Sequence, residues 1–373
     1  MEEIRNLGVN FAKRVLQPRW DALDAADPAL LDEILNEAAA AGLFGFAIPE
    51  AAGGSGLGGA EYAVLLEEIS RACAGIGALL AAHFAGVAPL LLAADGEKKN
   101  RFLSTVTQAE ANGKPALFAA AIREDKSPEF IQEDLETVAV TNGGTCVVTG
   151  IKNKVPGAAA AACFTVLAKN RNDGTQCWVV VPREARGVEI RPEAPRLGLR
   201  ICPVNDVVFR EVEVPSENVI PIFPERERLL EFHCWVDPAL AAVPIGMAIE
   251  AQETAMNYAI ERYQGGKMIC DHDAVRMMLS GMEMSVQASR ALAREGKAGF
   301  LASAFAAEAA EEVCLDAVQV LGGYGYMKEY RIERILRDAK TYRALVGTRA
   351  RRMESVRSTL EKGRPAGTAP PER

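Results

Sequence analysis

The sequence predicts an α+β multidomain chain: a block of helices, then a small antiparallel sheet, then more helices. Three observations predict it. Apolar residues recur at helical spacing through residues 1–115. Short β-branched runs, separated by Asn, Gly and Pro, fill residues 116–225. Long helical patterns return over residues 226–362. With 373 residues and 49% hydrophobic content, the chain can bury a sizeable core divided among two or three units. Alanine is abundant and costs little in a helix, which tips the composition towards packed helices.

The elements follow in order. Pro28 to Ala41 has helical spacing, with Asp27 placed to cap its start and Gly42 to stop it. The glycine-rich stretch Ala51 to Gly59 lacks the strand-then-helix setting of a phosphate-binding loop and reads as a flexible connection. Glu61 to Arg71 predicts another helix and Gly75 to Ala94 a third. The latter contains His83 and a proline, and reads as a buried helix with no membrane span implied. Thr137–Thr141, Thr145–Gly150, Cys163–Ala168, Cys177–Pro182 and Val204–Val214 are the β-branched runs of a compact sheet domain. Residues 363–373, rich in Gly and Pro, predict a disordered tail.

Composition narrows the function. The formal net charge is −8, and no basic face suited to nucleic-acid phosphates is visible, so no nucleic-acid partner is expected. The locally basic stretch Arg343 to Arg352 reads as a solvated helix face or an oligomer contact. None of the eight cysteines forms a Cys-x-x-Cys pair, and the three histidines lack zinc spacing. No metal is therefore expected, and the thiols read as reduced and mostly buried in a cytoplasmic protein. The charged N-terminus shows no apolar stretch of a signal peptide. These features suit an enzyme and a binding scaffold equally.

Four segments in register go further. Gln319 to Tyr330, reading QVLGGYGYMKEY, is followed by Glu333 to Lys340. Gly45 to Glu50 precedes a Gly-Gly-Ser-Gly run. Leu197 to Arg200 leads through Asp206 to Phe209 and on to Val212–Pro215. Glu261 to Ile269 is followed by His272 and Val275 to Leu279. Together they span most of the chain, and they resemble the acyl-CoA dehydrogenase family. The resemblance implies an N-terminal helical domain, a middle antiparallel β-barrel-like domain and a C-terminal four-helix bundle, assembled as a homotetramer or a mixed tetramer. It implies FAD between the middle and C-terminal domains, with part of its binding surface from a neighbouring subunit. The implied reaction is α,β-oxidation of an acyl-CoA thioester. A proton leaves the α-carbon, the β-carbon gives hydride to the flavin, and electrons pass to an external carrier such as an electron-transfer flavoprotein.

Carried over residue by residue, the resemblance assigns Arg262 to the FAD diphosphate, where a guanidinium fork suits phosphate oxygens. Gln264 shares that segment. Gln319, Gly322 and Gly323 match a loop whose backbone N–H groups approach the FAD of another subunit. Thr348, after Gly347, falls on the flavin side. Two runs depart from the pattern. The family's Thr-Glu-x-x-Gly-Ser-Asp stretch near the flavin reads Ala121-Ile-Arg-Glu-Asp-Lys-Ser-Pro128 here. Its Trp-Ile-Thr-Asn stretch reads Lys152-Asn-Lys-Val-Pro-Gly-Ala158, so backbone groups would replace side-chain bonds to the flavin.

The largest departure is the catalytic base. Taking a proton from an α-carbon needs a positioned carboxylate. Where many members carry a glutamate before Gly-Thr, this chain has Val346; where others carry it on a preceding helix, it has Val236. Asp237 is the candidate that remains, as a carboxylate raised by partial burial, or alternatively as an N-cap ahead of Pro238. A base-less relative that runs an elimination, and a non-catalytic subunit of a mixed oligomer, are the other readings. His83, His233 and His272, with Tyr324, Tyr326 and Tyr330, read as packing residues.

Overall fold

The computed structural model describes residues 1–93, 96–125, 135–222, 225–295, 301–347 and 353. The N-terminal part is helical: α1 (Glu2–Phe11), α2 (Trp20–Ala25), α3 (Pro28–Ala40), α4 (Gly59–Ala72), α5 (Ala74–Leu91) and α6 (Gly96–Ala111). Helix α3 begins as its sequence signals. Asp27 Oδ1 accepts from Ala29 N at 2.9 Å, Pro28 takes the first helical position, and Gly42 leaves the helix at φ +75°.

The glycine-rich stretch is no flexible connection. Ser55 N donates to Gly45 O (3.1 Å), Gly56 N to Ile48 O (2.8 Å) and Leu57 N to Phe46 O (3.2 Å), folding the loop back on the segment before it. The Glu110 carboxylate then accepts from Phe44 N and Gly45 N, and Thr107 Oγ1 donates to Ala52 O. Satisfied backbone groups, not sequence polarity, decide the order of this loop.

Helix α5 is apolar on every side because it is covered on every side, by α4, α7 and β1. Gly86 allows a close approach of backbone: a Cβ there would lie 2.5 Å from Phe118 O. Thr165 Oγ1 donates to Gly86 O at 2.9 Å, which locks α5 onto the sheet. His83 is the polar member of this helix. Its Nδ1 accepts from Phe118 N and its Nε2 donates to Phe44 O, both at 3.0 Å, and burial lowers its pKa to about 4. It is a packed, satisfied residue.

The middle part is an eight-stranded sheet: β1 (Leu117–Ala121), β2 (Val138–Asn142), β3 (Thr145–Pro156), β4 (Ala161–Asn170), β5 (Gln176–Pro182), β6 (Val188–Ile190), β7 (Val204–Pro215) and β8 (Val219–Pro221). Its order is β6-β7-β3-β2-β4-β5-β8, with β1 also beside β4. Most pairings are antiparallel, as expected, but β1 and β2 both run parallel to β4, so the sheet is mixed. The two strands meet different stretches of one β4 edge, β1 from Ala161 to Val166 and β2 at Lys169 and Asn170. A buried ion pair pins the exit from β1. Lys152 Nζ donates to Glu124 Oε1 (2.7 Å) and Ile122 O (3.0 Å), and Glu124 also accepts from Glu136 N and Thr137 N. Burial holds Lys152 down to about 8. Burial also opposes ionisation of Glu124, yet the ammonium and the hydrogen bonds keep its carboxyl below the usual range.

The C-terminal part packs four helices: α7 (Glu225–Glu261), α8 (Asp273–Glu295), α9 (Leu301–Leu321) and α10 (Ile332–Val346). A two-strand hairpin, β9 (Tyr263–Gln264) and β10 (Lys267–Met268), joins α7 to α8. Helix α7 runs unbroken through Pro238 and Pro244, so Asp237 does not cap a helix starting at Pro238. Its carboxylate instead serves the start of α9. Oδ2 accepts from Ser303 N at 3.2 Å, and Oδ1 accepts from the Ser303 hydroxyl. First-turn N–H groups have no acceptor within their own helix, and the neighbouring helix supplies one here. Helices α5 and α7 are long and apolar enough to cross a membrane, but 94% and 78% of their most apolar windows are buried within the protein.

Helix α10 is anchored to the sheet and to α2. Arg337 forks onto Asp24 at 2.8 and 3.1 Å, Leu199 N donates to Asp338 at 2.5 Å, and Gly198 N donates to Thr341 Oγ1 at 2.9 Å. The Leu197–Arg200 segment is therefore a clamp on α10. Thr348 and the tail 363–373 lie outside the described residues, as does most of the basic stretch after Gly347.

Candidate functional site

Two hollows carry the residues singled out by sequence. The first, about 180 Å³, opens where α5, the sheet, α7 and α10 meet. Helix α5 offers Ala78, Ala82 and Ala85, one small-residue face that leaves the space. Ile122 and Arg123, just beyond β1, form a second wall, and Asn153 to Pro156 of β3 a third. Leu240 of α7 and Tyr342, Leu345 and Val346 of α10 complete it. Tyr342 Oη donates to Leu240 O at 2.6 Å and so fixes the two helices across the pocket.

The β3 wall is irregular. The register against β7 shifts between Lys152 and Val155, and Lys154 sits at φ +52°, a left-handed conformation uncommon for a residue with a side chain. Lys154 N donates to Asp206 Oδ1 at 2.9 Å, and Asn153 is bonded to the Arg123–Asp125 segment through both its backbone N and its Oδ1. The bulge places the divergent Lys-Val-Pro run on the pocket wall.

Helix α10 ends at Val346, with Gly347 at φ +71° closing it. Val346 thus lines the pocket, and no Asp or Glu lines it among the described residues. The Asp237 carboxylate lies elsewhere. Asp237 is fully buried between α7 and α9 and bound to Ser303, whereas Leu240, three residues on, faces the pocket. In this arrangement both Asp237 oxygens accept from Ser303 at the start of α9, so reaching a substrate in the pocket would require the helix to shift.

The second hollow, about 810 Å³, lies on the surface around the end of α7, the hairpin and the end of α9. Arg262, Gln264, Gln319, Gly322 and Gly323 all line it. Gly322 adopts φ +58°, and a Cβ at either glycine would meet no heavy atom within 4 Å, so the turn presents open backbone. The Arg262 guanidinium lies 5.8 Å from the Tyr324 ring centroid, and His272 Nε2 lies 3.0 Å from Gln264 O. Among the described residues the lining contains a guanidinium, an imidazole and two amide side chains but no carboxylate. That donor set fits a diphosphate.

Tyr324, Tyr326 and Tyr330, expected as packing residues, are 43%, 85% and 37% exposed on this chain. Tyr258, Tyr324 and Tyr330 still form a ring cluster at 5.1 to 6.1 Å. Sequence reasoning did not single out Tyr342 or the alanine face of α5. The Ala-x-x-x-Ala spacing was visible, but which side of an all-apolar helix faces a cavity depends on its neighbours.

Comparison with known proteins shows the family and the fold. The N-terminal, middle and C-terminal domains of acyl-CoA dehydrogenase match residues 1–110, 125–212 and 238–360. The cyclohex-1-ene-1-carbonyl-CoA dehydrogenase of Syntrophus aciditrophicus is 29% identical, over 96% of this chain and 89% of its own length. A subunit of the caffeyl-CoA reductase–Etf complex of Acetobacterium woodii is also 29% identical, over 92% of this chain and 94% of its own. The solved butyryl-CoA dehydrogenase of Megasphaera elsdenii is 25% identical, covers 96% of this chain and 97% of its own, and superimposes with a TM-score of 0.84. The chain belongs to the acyl-CoA dehydrogenase family, as an FAD-dependent oxidoreductase of that type.

Proposed function

We propose that this chain binds FAD across its two hollows and performs α,β-oxidation of an acyl-CoA thioester, passing the electrons to an external carrier such as an electron-transfer flavoprotein. The convergence of Arg262, Gln264, Gln319, Gly322 and Gly323 on one hollow that no carboxylate lines among the described residues carries the reading. When bound, FAD supplies the acceptor for a hydride from the β-carbon. Arg262 and the open Gly322–Gly323 turn would hold the diphosphate; Thr348, outside the described residues, is assigned to the flavin side by its place after Gly347 in the sequence. The alanine face of α5 leaves room for an apolar acyl group, and Tyr342 keeps α7 and α10 at a fixed separation around it. The carrier is supported by the relative that belongs to an Etf complex.

The Arg262 hollow lies on the surface of the single chain, and large apolar side chains that line it stand exposed: Tyr324 is 43% and Met327 46% exposed. That supports burial against a second subunit; a homotetramer or a mixed tetramer in the cytoplasm is the assembly we propose.

Val346 at the base position favours a second reading, in which the chain runs a base-independent elimination or supports FAD as a non-catalytic subunit. Three measurements separate these. The purified protein should absorb in the blue as a flavoprotein; a colourless protein that takes up no FAD would overturn the proposal. Anaerobic bleaching by a saturated acyl-CoA supports dehydrogenation, and turnover without net bleaching supports elimination. Val346→Glu should raise the bleaching rate by about 10²-fold or more, the usual yield of a positioned general base.

A further inference from the structure

Arg123 follows β1 and lines the first hollow beside Asn153 and Lys154. Its neighbours' charges are engaged: Lys152 is bonded to Glu124, and Lys154 Nζ stands 4.0 Å from Asp125. Arg123 is held only through its backbone, where its carbonyl accepts from Asn153 N at 2.8 Å. Among the described residues its guanidinium has neither an ion-pair partner nor a hydrogen bond, and it is half-buried against an apolar wall. A guanidinium that loses part of its water gains nothing in return unless an anion arrives. Among the described residues no carboxylate lines the pocket to provide one. The backbone that carries it is held in place. The Lys152–Glu124 pair and the Asn153 contacts fix the Ile122–Asp125 segment against the β3 bulge.

We propose that Arg123 is the counter-charge for the negative charge that two-electron reduction leaves on the flavin ring, so that this pocket favours the reduced cofactor. The inference rests on the FAD reading above. A fixed cation in a poorly hydrated pocket stabilises a nearby anion far more than it would in water. The neutral oxidised ring gains little from it, and the difference between the two states appears as a raised midpoint potential.

The test uses the full chain purified with its FAD. Reductive titration with dithionite and reference dyes gives the potential. Sulfite provides a second reading, because its sulfur lone pair bonds to the oxidised ring and leaves the negative charge there without any other reactant. Arg123→Gln should lower the equilibrium constant for reduction about tenfold, about 30 mV for a two-electron couple, and weaken sulfite binding by a similar factor. Arg123→Lys should keep most of both. An unchanged potential and sulfite affinity in Arg123→Gln would overturn the proposal. So would a variant that changes only the preference for glutaryl-CoA over butyryl-CoA, since the charge would then serve a substrate carboxylate. If Arg123→Gln loses its FAD, Arg123→His decides: its potential should fall between pH 5.5 and 7.5 by more than the wild type's, and equal slopes would overturn the claim. A wild-type protein that takes up no FAD defeats the flavin reading itself, and absorbance reveals that before any variant is made.

Discussion

His83 shows how little a residue type says before its surroundings are known. A histidine on an apolar helix near an acyl pocket invites a catalytic role, yet both ring nitrogens are spent on backbone groups and the ring is neutral. Its pKa of about 4 lies below the ordinary 6.5, so between those values the unfolded chain takes up a proton that the folded chain refuses. The stability it contributes is therefore complete above pH 6.5 and is lost as the pH falls towards 4, at about 1.4 kcal/mol per unit. Denaturant unfolding at pH 7 and pH 5 should show a drop in the wild type that is largely absent in His83→Gln, though that variant starts less stable. Equal drops would show that His83 does not carry the linkage. Val346 is the opposite case. Its identity alone announced that the usual base was missing, because no environment gives valine an acceptor.

At the scale of elements, period and capping were readable and partners were not. The Asp27–Pro28 start of α3 and the Gly42 stop are local chemistry, complete within a few residues. Asp237 followed by Pro238 presents the same local pattern, and there it misleads. Tertiary packing carries α7 straight through both prolines, and the acceptor goes to α9. Asp237→Ala should therefore cost about 1–3 kcal/mol, the range for an orphaned buried donor. Asp237→Asn, which keeps an acceptor, should cost less and leave flavin bleaching by acyl-CoA intact. A loss of bleaching in a folded Asp237→Asn protein would restore Asp237 as a base. The glycine-rich loop failed as a flexible connection for a related reason: the carbonyls that order it lie several residues upstream, and the Glu110 carboxylate that braces their segment comes from α6.

At the scale of the molecule, the proposed function divides the work between two hollows. One, walled by three parts of the chain, would take a ring or an acyl group; the other, on the surface, would take phosphates. Arg262→Glu places a carboxylate in the second and should strip FAD, lowering the flavin-to-protein ratio several-fold while leaving the circular dichroism of the helices unchanged. Full flavin content in that variant would sink the assignment of this hollow. The helix–sheet–helix order, the family and the absent glutamate were legible in the chain itself, because periodicity, capping and contiguous motifs are properties of neighbours in sequence. The parallel seating of β1 and β2 on β4, the service of Asp237 to another helix and an Arg123 without a partner among the described residues came only with the folded coordinates. Each depends on groups dozens of residues apart, and no local pattern reports which buried charge will find a partner.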